Sequence, residues 1–186
     1  MGSKCLYHVT TKKNYSQILK DKSFREISIP NLSDKKRPQK NPGTLGYGLY
    51  AFEVEWMAES FNKSNSMFLG KGKKLKFSIV SEEFTMLDLF NQEDSHRFHI
   101  YLDMIREKHM YKKLNEWFNS QGRQATLHGA LLEIYIRYLE NKGNEIELVR
   151  AYTSNDIGHG SSVLSNGVEY CIRENQIISN SSISSC

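Results

Sequence analysis

Pro30, Pro38 and Pro42 are the only prolines in this chain of 186 residues, and all three lie within residues 30–45. Proline fixes φ and carries no amide hydrogen, so neither a helix interior nor a central strand is expected through this stretch. Most of its other residues are polar, and a connection this long usually carries function or moves. The stretch divides the chain into a short N-terminal piece and a long remainder. In the first piece, KCLYHVT alternates like a short strand, and NYSQILKD puts Tyr15, Ile18 and Leu19 on one helical face.

Beyond the prolines, GLYAF predicts a strand and EVEWMAESFNKS a helix with Trp56, Met57 and Phe61 as its apolar side. GKGKKLKFSIV predicts a turn and a strand, and FTMLDL either a short strand or a connection. Residues 94–142 read as helical. Phe98, Leu102 and Ile105 line one helix, Leu127, Leu131, Ile134, Tyr135 and Tyr138 line another, and SQGRQ separates them. EIELVRAYT predicts a strand, SNDIGHGSSVLSNG a loop and VEYCIRENQII a last strand, while residues 179–186 are expected to be a disordered tail. Strands and helices mix without regular βαβ alternation. An α+β fold is therefore expected, as a single domain over residues 1–178.

No apolar run nears the roughly 20 residues that span a bilayer, and MGSKCLYHVT shows no signal-peptide pattern. Cys5, Cys171 and Cys186 have no CxxC spacing, so reduced thiols, a cytoplasmic location and no membrane partner are expected. The net charge of +4 is uneven: residues 1–80 carry 15 Lys/Arg against 6 Asp/Glu, and the remainder carries 10 against 15. DKKRPQK and GKGKKLK concentrate the excess. Such clusters attract phosphates or nucleic acid, or are a solvated basic face.

TLGYGLYAF, Thr44 to Phe52, sets Gly46 and Gly48 beside an aromatic run. Two explanations stand open at this point. The glycines make a tight turn into a strand, or they let a ligand approach while Tyr50 offers it a ring. His8 in the first strand, Tyr50 and Glu169 in the last strand are each unremarkable alone: a hydrogen-bonded histidine, a packed tyrosine, a glutamate facing solvent.

Together they carry a resemblance. LYHVT resembles the first signature strand of the ADP-ribosyltransferases, in which a histidine and a small residue precede Ser or Thr. GYGLYAF resembles the second, Gly-x-Gly-aliphatic-Tyr, and VEYCIRENQII resembles the third, a Glu-Tyr strand. The three occur in the family's order, in the His-Tyr-Glu class that includes diphtheria-type toxins and the poly-ADP-ribose polymerases. The likeness covers about a third of the chain. It implies two small packed antiparallel-rich sheets around an NAD cleft, with residues 94–142 as a helical insertion.

The resemblance implies roles. NAD+ is the substrate, nicotinamide leaves, and ADP-ribose passes to a macromolecular acceptor. Glu169 stabilises the cationic ribose and bonds its 2′-hydroxyl, while Tyr50 and Phe61 stack on nicotinamide. His8 bonds the adenosine-side ribose, the Val9 backbone clasps the carboxamide, Thr10 supports the nicotinamide end, and Gly46 and Gly48 leave room. Where polymerase-like members carry a serine, this chain has Ala58, with Ser60 as the substitute. Gly167, two residues before Glu169, departs from the arginine-specific pattern.

Lys35, Lys36, Arg37, His159 and Ser161 are the acceptor-binding candidates, joined by Lys40, Lys71, Lys73, Lys74 and Asn166. The basic N-terminal half leans towards an RNA or DNA acceptor, with protein as the other option. A toxin of toxin–antitoxin or anti-phage type, held by an inhibitory antitoxin partner, fits this profile. Two rivals stand beside it. One is a silent module of the same fold that binds NAD or ADP-ribose without turnover. The other is a metal-dependent hydrolase on His96, His99 and Asp103, but no third histidine or paired carboxylate completes a ligand set, and no metal is expected.

Overall fold

Thr11 sets the first element boundary. Its hydroxyl accepts the Asn14 amide at 3.3 Å and caps helix α1 (Lys12–Asp21), directly after strand β1 (Ser3–Thr10). A computed structural model describes residues 3–32, 36–80, 84–118, 124–154 and 165–186. The described part of the proline-bearing stretch holds no helix or strand, only an isolated bridge between Gly43 and Gly46. Then follow β2 (Leu49–Phe52), α2 (Glu55–Ser64), β3 (Lys73–Val80), β4 (Met86–Asp88), α3 (Gln92–Ile105), α4 (His109–Phe118), α5 (Gln124–Glu140), β5 (Leu148–Ser154), β6 (Ser165–Ile172) and β7 (Ile178–Ser185). The α+β class is as expected.

The seven strands form one sheet, in the order β4-β5-β6-β2-β1-β3-β7. All neighbours are antiparallel except β4 and β5. Two separate sheets were expected, and the single sheet has a clear seam that explains the difference. β1 and β3 pair over the whole of β1, from Ser3–Val80 to Thr10–Lys73. β1 and β2 pair only at Tyr7–Phe52. Two well-bonded parts thus meet through one register pair.

Helices α3, α4 and α5 cover one face. There Phe98, Leu114, Phe118, Leu132 and Ile136 bury against Val149 and Cys171 of the sheet. The other face packs Leu6, Ala51, Phe77, Leu148 and Tyr170 beneath Ile18 of α1. A third cluster joins α2 to β1 and β2 through Val9, Phe52, Met57 and Ala58. Trp56, expected on the apolar side of α2, stands 57% exposed, and the helix buries Met57, Ala58 and Asn62 instead. Asn62 fits that position because its amide bonds both the N–H and the C=O of Gly72. No described helix is long and apolar enough to cross a membrane.

The chain end corrects the expectation of a disordered tail. Residues 178–185 form β7 along β3, with Ile178 and Ile183 buried and the Ser182 hydroxyl accepting the Ser78 amide at 2.7 Å. Ile183→Ala removes a side chain with no exposed surface. It is expected to lower unfolding stability by ~2–5 kcal/mol in urea titration. An unchanged midpoint would contradict the packing of β7.

Candidate functional site

β1, β2 and β6, the strands bearing His8, Tyr50 and Glu169, are consecutive in the sheet. Tyr7, Phe52 and Glu169 share one cross-strand row. Because side chains alternate along a strand, Glu169 and Tyr50 project to the face that carries Val9 and Cys171, and His8 projects to the opposite face with Ala51 and Tyr170. The three residues do not line one surface. Rows of β1 and β6 are about 10 Å apart, two strand spacings.

On its face, His8 stands where β1 and β2 part. Its Nδ1–H donates to the Tyr50 carbonyl at 2.7 Å, one step beyond the Tyr7–Phe52 pair. A carbonyl only accepts, so the proton is on Nδ1 and Nε2 is left as an acceptor. Burial lowers the imidazole pKa to about 4, against the opposing effect of the carbonyl bond, so the ring is neutral at pH 7. The ring meets Phe24 edge-on at 5.6 Å. A cleft of about 490 Å³ opens here, walled by His8, Thr10, Gln17, Phe24, Gly48 and Leu49, with Arg25 and Lys40 also in its lining. Thr10 and Gly48 are among its lining residues.

On the opposite face Glu169 is 6% exposed. Its Oε2 accepts the Thr44 hydroxyl at 3.0 Å, and Oε1 has no hydrogen-bond partner among the described residues. Burial pushes the pKa up to about 7, with the Thr44 bond opposing. A carboxylate at this pKa changes charge around neutral pH, which suits a general base, and it is charged for electrostatic stabilisation above that pH.

The loop between Gly43 and Gly48 roofs this side. The Tyr50 hydroxyl donates to the Gly46 carbonyl and accepts the Leu45 amide, both at 2.8 Å. Gly43 lies directly against the ring, whose other neighbours belong to the α3–α5 core. Its role here is to prop the loop, and no stacking face opens into the cleft. Gly46 has φ +92°, and a side chain there would strike Glu133 Oε1. A side chain at Gly48 would strike Cys171 Sγ and the Ile172 carbonyl. Both glycines therefore answer to close packing, and of the two Gly48 borders the cleft.

Glu133 anchors the loop. Its Oε1 accepts the Tyr47 amide at 2.5 Å and Arg173 Nη1 at 2.7 Å, and the two side chains are 1% and 3% exposed. Gly129, one turn earlier on α5, lets the Gly43 carbonyl approach the helix, and His128 Nδ1–H donates to the Thr44 carbonyl at 2.9 Å.

The remaining candidates separate. The Val9 side chain packs against α2. Phe61 packs on Phe52 and Phe68, with ring centroids 5.4 and 5.9 Å apart, and forms no sandwich with Tyr50. Ala58 is fully buried and Ser60 is half-buried on the same helix. Lys36, Lys71 and Lys73 are exposed. Arg37 lies over the Phe118 ring and bonds Asn41. Lys74 is held between Glu55 and Glu59 at 2.6 and 2.9 Å, so it is not available to a phosphate backbone. Lys35, His159 and Ser161 lie outside the described residues. His96 and His99 are exposed on α3, Asp103 pairs with Arg106, and the described residues hold no group of three or more His, Cys, Asp or Glu arranged for a metal.

Sequence reasoning missed Thr44, His128, Glu133 and Arg173. Only Glu133 had a signal, as a lone charge inside the apolar run LLEIYI of α5. No protein-family model, curated protein or solved structure matches this chain.

Two outcomes follow for stability. Arg173→Met leaves Glu133 buried and unpaired, and a loss of ~3–5 kcal/mol is expected in denaturant unfolding. For Glu169 the folded pKa of about 7 exceeds the ordinary 4.5. Between those pH values the folded protein keeps a proton on Glu169 that the unfolded chain releases, so the Glu169 contribution to stability falls as pH rises, by about 3 kcal/mol, against an opposite contribution from His8. Glu169→Gln removes that contribution and leaves the His8 slope, so the variant gains stability relative to the wild type as pH rises. Unfolding of both proteins at pH 4.5 and pH 8 reads the difference, and identical pH dependence would contradict the burial of an ionisable Glu169.

Proposed function

We propose that this chain is a cytoplasmic NAD-dependent ADP-ribosyltransferase that moves ADP-ribose from NAD+ to a macromolecule and releases nicotinamide. The observation that carries this is that the three motif-bearing strands lie side by side, with His8 lining the cleft on one face where β1 and β2 part and Glu169 buried on the other face, across β2. A dinucleotide has two halves. The adenosine half occupies the His8 cleft, where neutral Nε2 accepts a ribose hydroxyl and Arg25 and Lys40 meet the diphosphate. The nicotinamide half reaches the Glu169 face by displacing the contacts of Val9 with α2 that cover the seam there.

The bond from ribose C1′ to the nicotinamide nitrogen breaks, and its electrons leave with nicotinamide. Positive charge then grows on C1′ and the ring oxygen. A carboxylate beside it stabilises this state more than the ground state. Glu169 supplies it through Oε1, which also accepts the 2′-hydroxyl. The acceptor attacks C1′, and its proton passes to the Glu169 carboxylate.

Exposed Lys36, Lys71 and Lys73 favour a nucleic-acid acceptor, with protein as the other class, and an activity of this kind calls for an inhibitory partner. The covered Tyr50 ring favours a second reading, a domain of the same kind that binds NAD+ without turnover.

Chromatographic assay of nicotinamide release decides between them. The wild type is expected to release nicotinamide at a rate that rises with pH through an inflection near 7, as Glu169 ionises. Glu169→Gln is expected to be slower by about 10²–10³-fold. Binding of NAD+ without release supports the silent module, and equal release by both proteins contradicts the assignment of Glu169. Labelled NAD+ offered separately with RNA, DNA and protein identifies the acceptor class.

A further inference from the structure

We infer that Thr44 is a positioning residue for Glu169, and that helix α5 acts on the reaction by holding Thr44 in place. This rests on the transferase activity proposed above. A glutamate side chain on a strand has three rotatable bonds, and only some of its orientations present an oxygen to a ribose. The Thr44 hydroxyl, 125 residues away in the chain, holds Oε2 at 3.0 Å. Oε1 is left to face the substrate. The β-branched threonine adds stiffness at χ1.

Thr44 is itself fixed from several directions. His128 holds its carbonyl, Gly129 lets α5 touch the Gly43 carbonyl, and Gly43 and Gly46 bond each other's backbone at 3.0 and 3.3 Å. The Tyr50 hydroxyl brackets Leu45 and Gly46, and Glu133 holds the Tyr47 amide. With the backbone on both sides of exposed Thr44 held in this way, its hydroxyl is placed to orient the carboxylate. It also donates to the charged form of Glu169 and opposes the effect of burial.

The test uses the full chain and three variants. Thr44→Val keeps the shape and removes the hydroxyl, Thr44→Ser keeps the hydroxyl, and His128→Ala frees the loop carbonyl. Titration of the Glu169 carboxyl carbon by NMR is expected to move upward by about one pH unit in Thr44→Val, by less in His128→Ala, and to stay at the wild-type position in Thr44→Ser. The kcat for nicotinamide release is expected to fall about tenfold in Thr44→Val with KM for NAD+ unchanged, and to recover in Thr44→Ser. Its pH inflection should follow the NMR titration. An unmoved titration in Thr44→Val overturns the inference, and so does an unchanged kcat. A wild type that releases no nicotinamide overturns the transferase activity, while the NMR titration still reports on the bond from Thr44 to Glu169.

Discussion

Glu133 and Arg173 meet where almost no water reaches them, and the amide of Tyr47 shares the same carboxylate oxygen. Taking two charges out of water is expensive, and their attraction offsets it only where geometry and extra hydrogen bonds are good. Here the extra bond comes from the loop that enters β2. The pair therefore ties three distant pieces together: α5, the end of β6 and the Gly43–Gly48 loop. Once that loop is fixed, Tyr50 has its hydroxyl partners, Thr44 reaches Glu169, and the carboxylate has its desolvated setting. The helical region is thus the wall against which the candidate site is built.

The seam between β1 and β2 is the second constraint. The sheet is continuous by register, yet one pair joins its two parts, and the next acceptor on β2 takes a side-chain bond from His8. On the proposed reading, one extended ligand meets the histidine on one face and the glutamate on the other at this seam. It also accounts for the glycine at the entry to β2, since Gly48 is packed against Cys171 and Ile172 on one side while its backbone borders the cleft on the other.

Much of the fold was legible where one physical signal dominated. The prolines marked the irregular stretch, alternation marked β1, and 3.6-residue periodicity marked α1 and, Trp56 apart, α2. What escaped depended on partners far away in the chain. β7 reads as a serine-rich tail because only Ile178 and Ile183 bury, and their burial exists only once β3 lies alongside. The break between α3 and α4 at residues 106–108 carries neither proline nor glycine, so no local feature announced it. In the site, His8, Tyr50 and Glu169 were nameable from their strands, but their faces depended on register. Thr44 and His128 look like ordinary polar residues until the loop docks on α5. Gly46 was read as space for a ligand, whereas a glutamate of α5 occupies that space.

The claim that one ligand bridges both faces through the β1–β2 opening is tested most directly by amide NMR. NAD+ is titrated into labelled Glu169→Gln protein, which preserves the complex from turnover. Concerted shifts are predicted at Phe24 and Gly48 on the cleft side, at Val9 and Thr10 along the opening, and at residues 168–170 on the far side. Shifts confined to the cleft, or none at saturating NAD+, would contradict it.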